Sequence, residues 1–126
     1  MIQVTDIYVA VIDDDESFRR SLVRLLRAAH YQPLTYPSAE EFLADTKHPR
    51  FDCMLLDIAL GGISGLELGR RLAASGSTVP IVYITAHDDA KTRAEAQAVG
   101  CTGFVSKIEP RDVLLDAVAR AVKSAH

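Results

Sequence analysis

Short apolar runs alternate with helical patterns along this chain. Three runs rich in Ile, Val and Leu cover Ile7 to Ile12, Cys53 to Leu56 and Pro80 to Thr85. Nearly continuous apolar runs of this length are typical of strands that are buried on both faces of a parallel sheet. Gln32 to Tyr36 and Gly103 to Ser106 predict two weaker strands. The pattern therefore predicts five strands.

Helical spacing fills the segments between these strands. Two apolar stripes stand out, formed by Phe18, Leu22, Leu25, Leu26 and Ala29, and by Leu114, Ala117, Val118, Ala121 and Val122. Ser38 followed by Glu41 reads as a capping box, Ser64 can cap a third helix, and Pro110 suits the start of the last one. Five βα units in order predict an α/β fold, a five-stranded parallel sheet with helices on both faces.

Composition narrows the function classes. The 126 residues, 48% hydrophobic and 25% charged, predict a single domain over 1–126. A net charge of −3 lacks the basic excess of a nucleic-acid surface, so we expect no nucleic acid to bind. No apolar run spans a bilayer and no export signal is evident, which predicts no membrane contact. Cys53 and Cys101 lack metal-ligand spacing and fit reduced thiols in the cytoplasm.

Charged and polar residues follow the predicted strands. Asp13, Asp14 and Asp15 come after the first strand, Asp57 after the third, Thr85 ends the fourth and Lys107 follows the fifth. Ligands of open parallel sheets bind at these carboxyl ends. Two carboxylates about 4 Å apart repel by roughly 4 kcal/mol at an effective dielectric of 20, so a cation is needed there. Lys107 offsets part of the charge, and Mg²⁺ suits the remaining oxygen ligands.

Four segments stand in order at the predicted strand ends: Val11-Ile12-Asp13-Asp14-Asp15-Glu16, Met54-Leu55-Leu56-Asp57, Ile84-Thr85-Ala86 and Phe104-Val105-Ser106-Lys107. Together they resemble the receiver domain of two-component response regulators, over nearly the whole chain. Ser38-Ala39-Glu40-Glu41-Phe42-Leu43 and Phe104 are more similar to the FixJ/NarL-type transcription regulators than to the chemotaxis branch. The resemblance implies the (βα)5 flavodoxin-like receiver fold.

The resemblance also implies roles at the strand ends. Asp57 would accept a phosphoryl group from a histidine kinase or phosphotransfer protein, as one step of a phosphorelay. Mg²⁺ would be the cofactor, bound directly by Asp14, Asp57 and the backbone carbonyl of Ala59, with Asp13 acting through a water. Thr85 and Lys107 would contact the phosphoryl oxygens. Such a domain catalyses only its own phosphorylation and dephosphorylation and is not an enzyme acting on other substrates.

The resemblance also implies how phosphorylation would change the surface that contacts an output domain or partner. Thr85 would move toward the phosphoryl group and Phe104 would turn inward, which changes the surface of the helix at Asp89 to Val99, the fifth strand and the last helix. The expected contact residues are Lys91, Arg93, Glu95, Phe104 and Arg111, in a phosphorylation-dependent homodimer or against a partner. In a longer chain the output would be a helix-turn-helix DNA-binding domain; in a complete one it would be protein contacts alone. His87 either modulates water access or is a surface residue.

Two departures from the family pattern keep an alternative open. Ile108 replaces the usual proline after Lys107, so we expect a trans peptide there and a differently shaped loop. Gly61 and Gly62 replace the common Met-Pro pattern and should loosen their loop. The alternative is a receiver-like interaction module that needs no phosphorylation. Haloacid-dehalogenase-like phosphatases are disfavoured because Ala59 stands where they need a second aspartate, and flavodoxin-like flavin binding because Asp13 to Glu16 would repel its phosphate.

Overall fold

Strands and helices alternate along the whole described chain. The computed structural model describes residues 6–87 and 89–125, so positions 1–5, 88 and 126 of the predicted domain lie outside it. The elements are β1 Tyr8–Ile12, α1 Glu16–Ala28, β2 Gln32–Tyr36, α2 Ala39–Ala44, β3 Cys53–Asp57, α3 Gly65–Ala74, β4 Ile81–Thr85, α4 Ala90–Val99, β5 Gly103–Ser106 and α5 Arg111–Ala125. All five predicted strands are present, within a residue or so of the expected bounds.

The strands form one parallel sheet in the order β2-β1-β3-β4-β5. Val11 pairs with Leu55, and Leu55 pairs with Val82, across the fully buried centre of the sheet. The chain winds from β1 to β2 in one direction and then crosses back to β3 on the other side. This reversal of strand order leaves a crevice between the carboxyl ends of β1 and β3.

Helices cover both faces of the sheet, as the sequence predicts. On one face, α1 and α5 pack their apolar stripes, including Leu22, Leu26 and Val118, against Val11 and Leu55. On the other face, α2, α3 and α4 cover a second core cluster that contains Ile12, Leu56 and Tyr83. Alternating side chains of each strand thus belong to opposite cores.

Side chains at the carboxyl end of the sheet cap the helices that start there. Ser38 accepts the Glu41 N–H and Ser64 accepts the Glu67 N–H, each at 3.1 Å, which confirms both predicted caps. Pro110 directly precedes α5, and its carbonyl accepts the Val113 N–H at 3.0 Å. Every helix therefore starts at a defined point, close to the strand ends that carry the polar residues.

The fourth helix is the least anchored of the five. Ala96 is its one buried residue, and Val99 packs partly against the core. Small alanine side chains give good helix propensity but little apolar area to bury. The apolar face of this helix is therefore thin.

Cys53 and Cys101 are both free thiols, as expected. Across the described residues, no helix has the length and apolar character needed to cross a bilayer.

Candidate functional site

Three carboxylates meet at the crevice between β1 and β3. Asp13 and Asp14 follow β1, and Asp57 is the last residue of β3. One carboxylate oxygen from each lies within 4.8 Å of the others. Asp13 and Asp57 are 1% and 3% exposed, whereas Asp14 is exposed to solvent. These three residues and Lys107 are called the acidic site below.

Backbone contacts fix Asp13 in place. Its N–H donates to the carbonyl of Tyr36 on β2 at 3.1 Å, and its Oδ1 accepts the Asp15 N–H at 2.8 Å. The Arg19 guanidinium donates to the Asp13 carbonyl at 2.6 Å. Asp15 turns away from the site, because its carboxylate accepts the Phe18 N–H at 3.2 Å and caps α1. Asp13 and Asp15 therefore have different roles: Asp13 lies in the acidic site, and Asp15 caps α1.

Asp57 has both carboxylate oxygens engaged. Oδ1 accepts the backbone N–H of Ala59 at 2.9 Å, and Oδ2 accepts from Lys107 Nζ at 3.0 Å. The start of α3 packs directly on the Asp57 backbone, since a Cβ at Gly65 would collide with the Asp57 carbonyl oxygen. Only glycine allows this close approach. The loop after β3 thus holds Ala59 against the acidic site.

The ammonium of Lys107 lies between two of the carboxylates. Nζ is 2.8 Å from Asp13 Oδ2 and 3.0 Å from Asp57 Oδ2, and the side chain is 17% exposed. The Lys107 N–H donates to the Thr85 carbonyl at 2.8 Å, which fixes its backbone beside β4. The peptide to Ile108 is trans, as predicted, and Ile108 is 89% exposed. Lys107 therefore reaches Asp57 without a following proline.

Burial and neighbouring charges shift the pKa values of Asp13 and Lys107 in the acidic site. Burial raises the pKa of Asp13, and the nearby charge of Asp57 adds to the rise against the opposing effect of Lys107. Burial alone would lower the pKa of Lys107, but its contacts with Asp13 and Asp57 outweigh this and raise it. One ammonium thus faces three carboxylates, and the site retains an excess of negative charge.

Lys107 is the partner of Asp13 Oδ2. Its Nζ lies 2.8 Å from this buried oxygen in an ion pair, and no other donor among the described residues is hydrogen-bonded to it. Three carboxylates at short range, with spare acceptor sites and excess charge, are a donor set that a hard divalent cation suits.

Thr85 lies at the end of β4 beside this site, but its hydroxyl is engaged locally. Thr85 Oγ1 accepts the His87 N–H at 2.9 Å and donates to the His87 carbonyl at 3.0 Å. Thr85 is 2% exposed, whereas the His87 residue is exposed. In this conformation the backbone of His87 holds the Thr85 hydroxyl, a link that the sequence did not reveal.

Phe104 lies on β5 and is partly buried against the core that contains Tyr83. The Arg93 guanidinium of α4 stacks over the Phe104 ring, 4.4 Å from its centroid. The other predicted contact residues, Lys91, Glu95 and Arg111, are exposed or half-exposed on α4 and α5. The predicted contact residues therefore lie on α4, β5 and α5, and each is at least partly exposed.

Two contributors to the acidic site were missed by the sequence analysis. Arg19 supports the Asp13 backbone, and the ring of Phe18 lies 4.5 Å from Lys107 Nζ. Phe18 was assigned only to the apolar stripe of α1. Its position four residues after Asp14, on the first turn of the helix that starts at the site, was the available signal.

The protein has an α/β fold, and its carboxylate cluster lies where the order of the strands reverses. Residues 9–119 match the family model described as the response regulator receiver domain. The chain is 37% identical over 119 residues to nodulation protein W of Bradyrhizobium diazoefficiens, covering 94% of this chain and 52% of that protein. The transcriptional regulatory protein FixJ from the same organism is 32% identical over 118 residues, with 94% and 58% covered.

A solved structure shows the same likeness. The crystal structure of FixJ-N superposes with a TM-score of 0.86 at 31% identity, and 95% of this chain and 96% of that one are covered. The chain therefore belongs to the response regulator receiver domain family. It spans about half the length of the curated relatives that it matches.

Proposed function

We propose that this chain is a phosphorylation-controlled receiver domain in which Asp57 accepts a phosphoryl group. The observation that carries this proposal is the position of Asp57, buried at the end of β3 with Lys107 3.0 Å from one oxygen and two further carboxylates beside it. A carboxylate held this way is a nucleophile whose phosphorylated product, an acyl phosphate, is readily hydrolysed. The modification is therefore reversible.

Mg²⁺ is the proposed cofactor, and the donor set supports it. The three clustered carboxylates and their excess negative charge suit a small, hard cation. Asp14, Asp57 and the carbonyl of Ala59 would hold the ion directly, with Asp13 acting through a water. When bound, Mg²⁺ would neutralise charge on the carboxylates and on the incoming phosphoryl oxygens.

The transfer step asks the protein mainly for alignment and charge neutralisation. A carboxylate oxygen of Asp57 attacks the phosphorus of a phosphohistidine, the O–P bond forms as the P–N bond breaks, and the electron pair of the broken bond remains on the imidazole nitrogen. Lys107 is already beside Asp57 and can bind a phosphoryl oxygen as charge develops. In dephosphorylation, water attacks the phosphorus, the P–O bond to Asp57 breaks, and inorganic phosphate and the free carboxylate are released.

Thr85 would couple the phosphoryl group to the output surface. Its hydroxyl would exchange the two His87 backbone contacts for a phosphoryl oxygen, and Phe104 would turn into the space that Thr85 leaves. His87, through its backbone, would then modulate the switch. The surface of α4, β5 and α5 would change and favour a homodimer or a partner protein.

The proposed partners follow from this chemistry. A histidine kinase or phosphotransfer protein would supply the phosphoryl group, and because such kinases use ATP, the domain would act in the cytoplasm. We also propose that residues 1–126 form one receiver domain. The named similarity to transcriptional regulators supports an output through a DNA-binding domain in a longer protein.

Incubation with acetyl phosphate and Mg²⁺, followed by intact mass measurement, tests the proposal. We expect one phosphoryl adduct in the unaltered protein and none in Asp57→Asn. Asp52→Asn is a matched control because Asp52 is a buried aspartate at the opposite end of β3, where its carboxylate accepts the Tyr8 N–H. An adduct that persists in Asp57→Asn would contradict the proposal, because another residue would then be the acceptor. No adduct in the unaltered protein would favour the phosphorylation-independent module.

A further inference from the structure

Packing around the Lys107 side chain leaves it room to move. A cavity of about 230 Å³ lies between α1 and the start of α5, and its lining includes Phe18, Ser106, Lys107 and Arg111. Ile108 is 89% exposed, so the following residue adds no packing. The direction of the Lys107 side chain is therefore determined by the groups around its ammonium.

Those groups are two carboxylates and one aromatic ring. Asp13 and Asp57 approach Nζ at 2.8 and 3.0 Å, and Nζ lies over the Phe18 ring, 4.5 Å from its centroid. A cation at this distance from a ring face is attracted by the quadrupole of the ring. Phe18 is itself well fixed, since its N–H is capped by Asp15 and its ring belongs to the apolar stripe of α1.

We propose that Phe18 is a positioning residue for Lys107. Its ring holds the ammonium at the acidic site and blocks retreat of the side chain into the neighbouring cavity. This inference rests on the proposed function and deepens it. A ring face has no single acceptor atom, so the ammonium can slide from the Asp57 carboxylate to a phosphoryl oxygen while it stays over the ring.

The rate of phosphorylation by acetyl phosphate, with saturating Mg²⁺, tests this role. We expect Phe18→Leu to slow the reaction by about three- to tenfold, the value of one partly desolvated cation–π contact. Phe18→Tyr keeps the ring face and should restore the rate to within about twofold. Mg²⁺ affinity, measured by calorimetry, should be unchanged in both variants because Phe18 contacts no carboxylate of the site.

A matched control separates positioning from general loosening of α1. Leu26 packs in the same core cluster on the same helix but lines neither the acidic site nor the cavity beside Lys107. Leu26→Val should leave the phosphorylation rate unchanged. An equal slowing in Leu26→Val, or failure of Phe18→Tyr to restore the rate, would overturn the inference.

A double-mutant cycle tests whether Phe18 acts through Lys107. In a Lys107→Met background, Phe18→Leu should cause no further slowing. A full additional loss in that background would overturn the inference while the proposed function stands. Absence of any adduct in the unaltered protein would overturn the proposed function, and this inference with it.

Discussion

At the residue scale, neighbouring acids in one short segment have different chemistry because of single hydrogen bonds. Asp13 is buried and bonded to the Asp15 N–H, Asp14 faces the crevice, and Asp15 caps α1. Asp13 and Asp14 both belong to the carboxylate cluster, whereas the Asp15 carboxylate is engaged by the Phe18 N–H. Asp14 and Asp15 are both aspartates, yet they should differ in their effect on metal binding, and this difference can be tested.

We expect Mg²⁺ binding to depend on Asp14 more than on Asp15. Asp14→Ala removes a member of the carboxylate cluster. Asp15→Ala removes the N-cap of α1 and should cost about 1 kcal/mol of folding stability, with less effect on the affinity for Mg²⁺. Calorimetric titration of Mg²⁺ into both variants checks this. Equal losses of affinity would show that the two acids share the site.

The residue scale is also where sequence prediction reached its limit. The acids of the site and Lys107 could be predicted because strand ends of a parallel sheet converge, whatever the details of packing. The hold of the His87 backbone on Thr85 and the guanidinium contact of Arg19 could not, because each depends on loop geometry and on one rotamer. Phe18 lay in a predicted helix, but its second contact depends on the direction of the Lys107 side chain.

At the element scale, a hydrogen bond between two side chains joins β2 to the end of α2. The Tyr36 hydroxyl donates to Asp45 Oδ2 at 2.6 Å, and Asp45 is the C-cap of α2. This hydrogen bond is the main cause of the lowered pKa of Asp45. A carboxyl whose pKa is lower in the folded than in the unfolded state stabilises the fold above its unfolded pKa, and this contribution is lost as pH falls through the folded value.

Asp45→Asn should therefore flatten the acid limb of the stability profile. Urea unfolding between pH 6 and pH 3, roughly the range in which carboxyls titrate, should show a smaller fall in the free energy of unfolding than in the unaltered protein. Tyr36→Phe removes the hydrogen-bond donor and should give the same flattening. An unchanged pH dependence in both variants would mean that the hydrogen bond between Tyr36 and Asp45 does not contribute to the pH dependence of stability.

The positions of the strands and helices could be predicted from the sequence for a physical reason. Strand and helix positions follow from burial, and the two core clusters use the apolar periodicity that the sequence displays. Loops were harder to judge. The pair Gly61 and Gly62 was expected to loosen its loop, yet Leu60 is buried and the Ile63 N–H donates to Glu40 at 3.0 Å, so the loop is tied at both ends.

At the scale of the whole molecule, the weakly anchored α4 connects β4, whose last residue Thr85 lies beside the acidic site, to the edge strand β5. Ala96 is its one buried residue, so a coupling of about 1 to 3 kcal/mol is enough to bias its position. Phe104 contacts this helix through Arg93. The most weakly anchored helix is therefore part of the predicted output surface.

Beryllofluoride with Mg²⁺, a stable mimic of a phosphorylated carboxylate, should change backbone amide shifts or hydrogen exchange from residue 89 to residue 111. The expected cause is release of Thr85 from His87 and rearrangement of Phe104 and α4. Spectra with and without the mimic provide the measurement. If the changes remain within the acidic site, the switching mechanism is wrong and the phosphorylation-independent module gains support.

The most direct measurement identifies the phosphorylated residue in the unaltered protein. Borohydride reduces an aspartyl phosphate to homoserine, so treatment after acetyl phosphate marks the acceptor for peptide mass spectrometry. We predict homoserine at position 57 alone, and only when Mg²⁺ is present. Homoserine at Asp13, Asp14 or any other carboxylate, or no homoserine at all, would contradict the account.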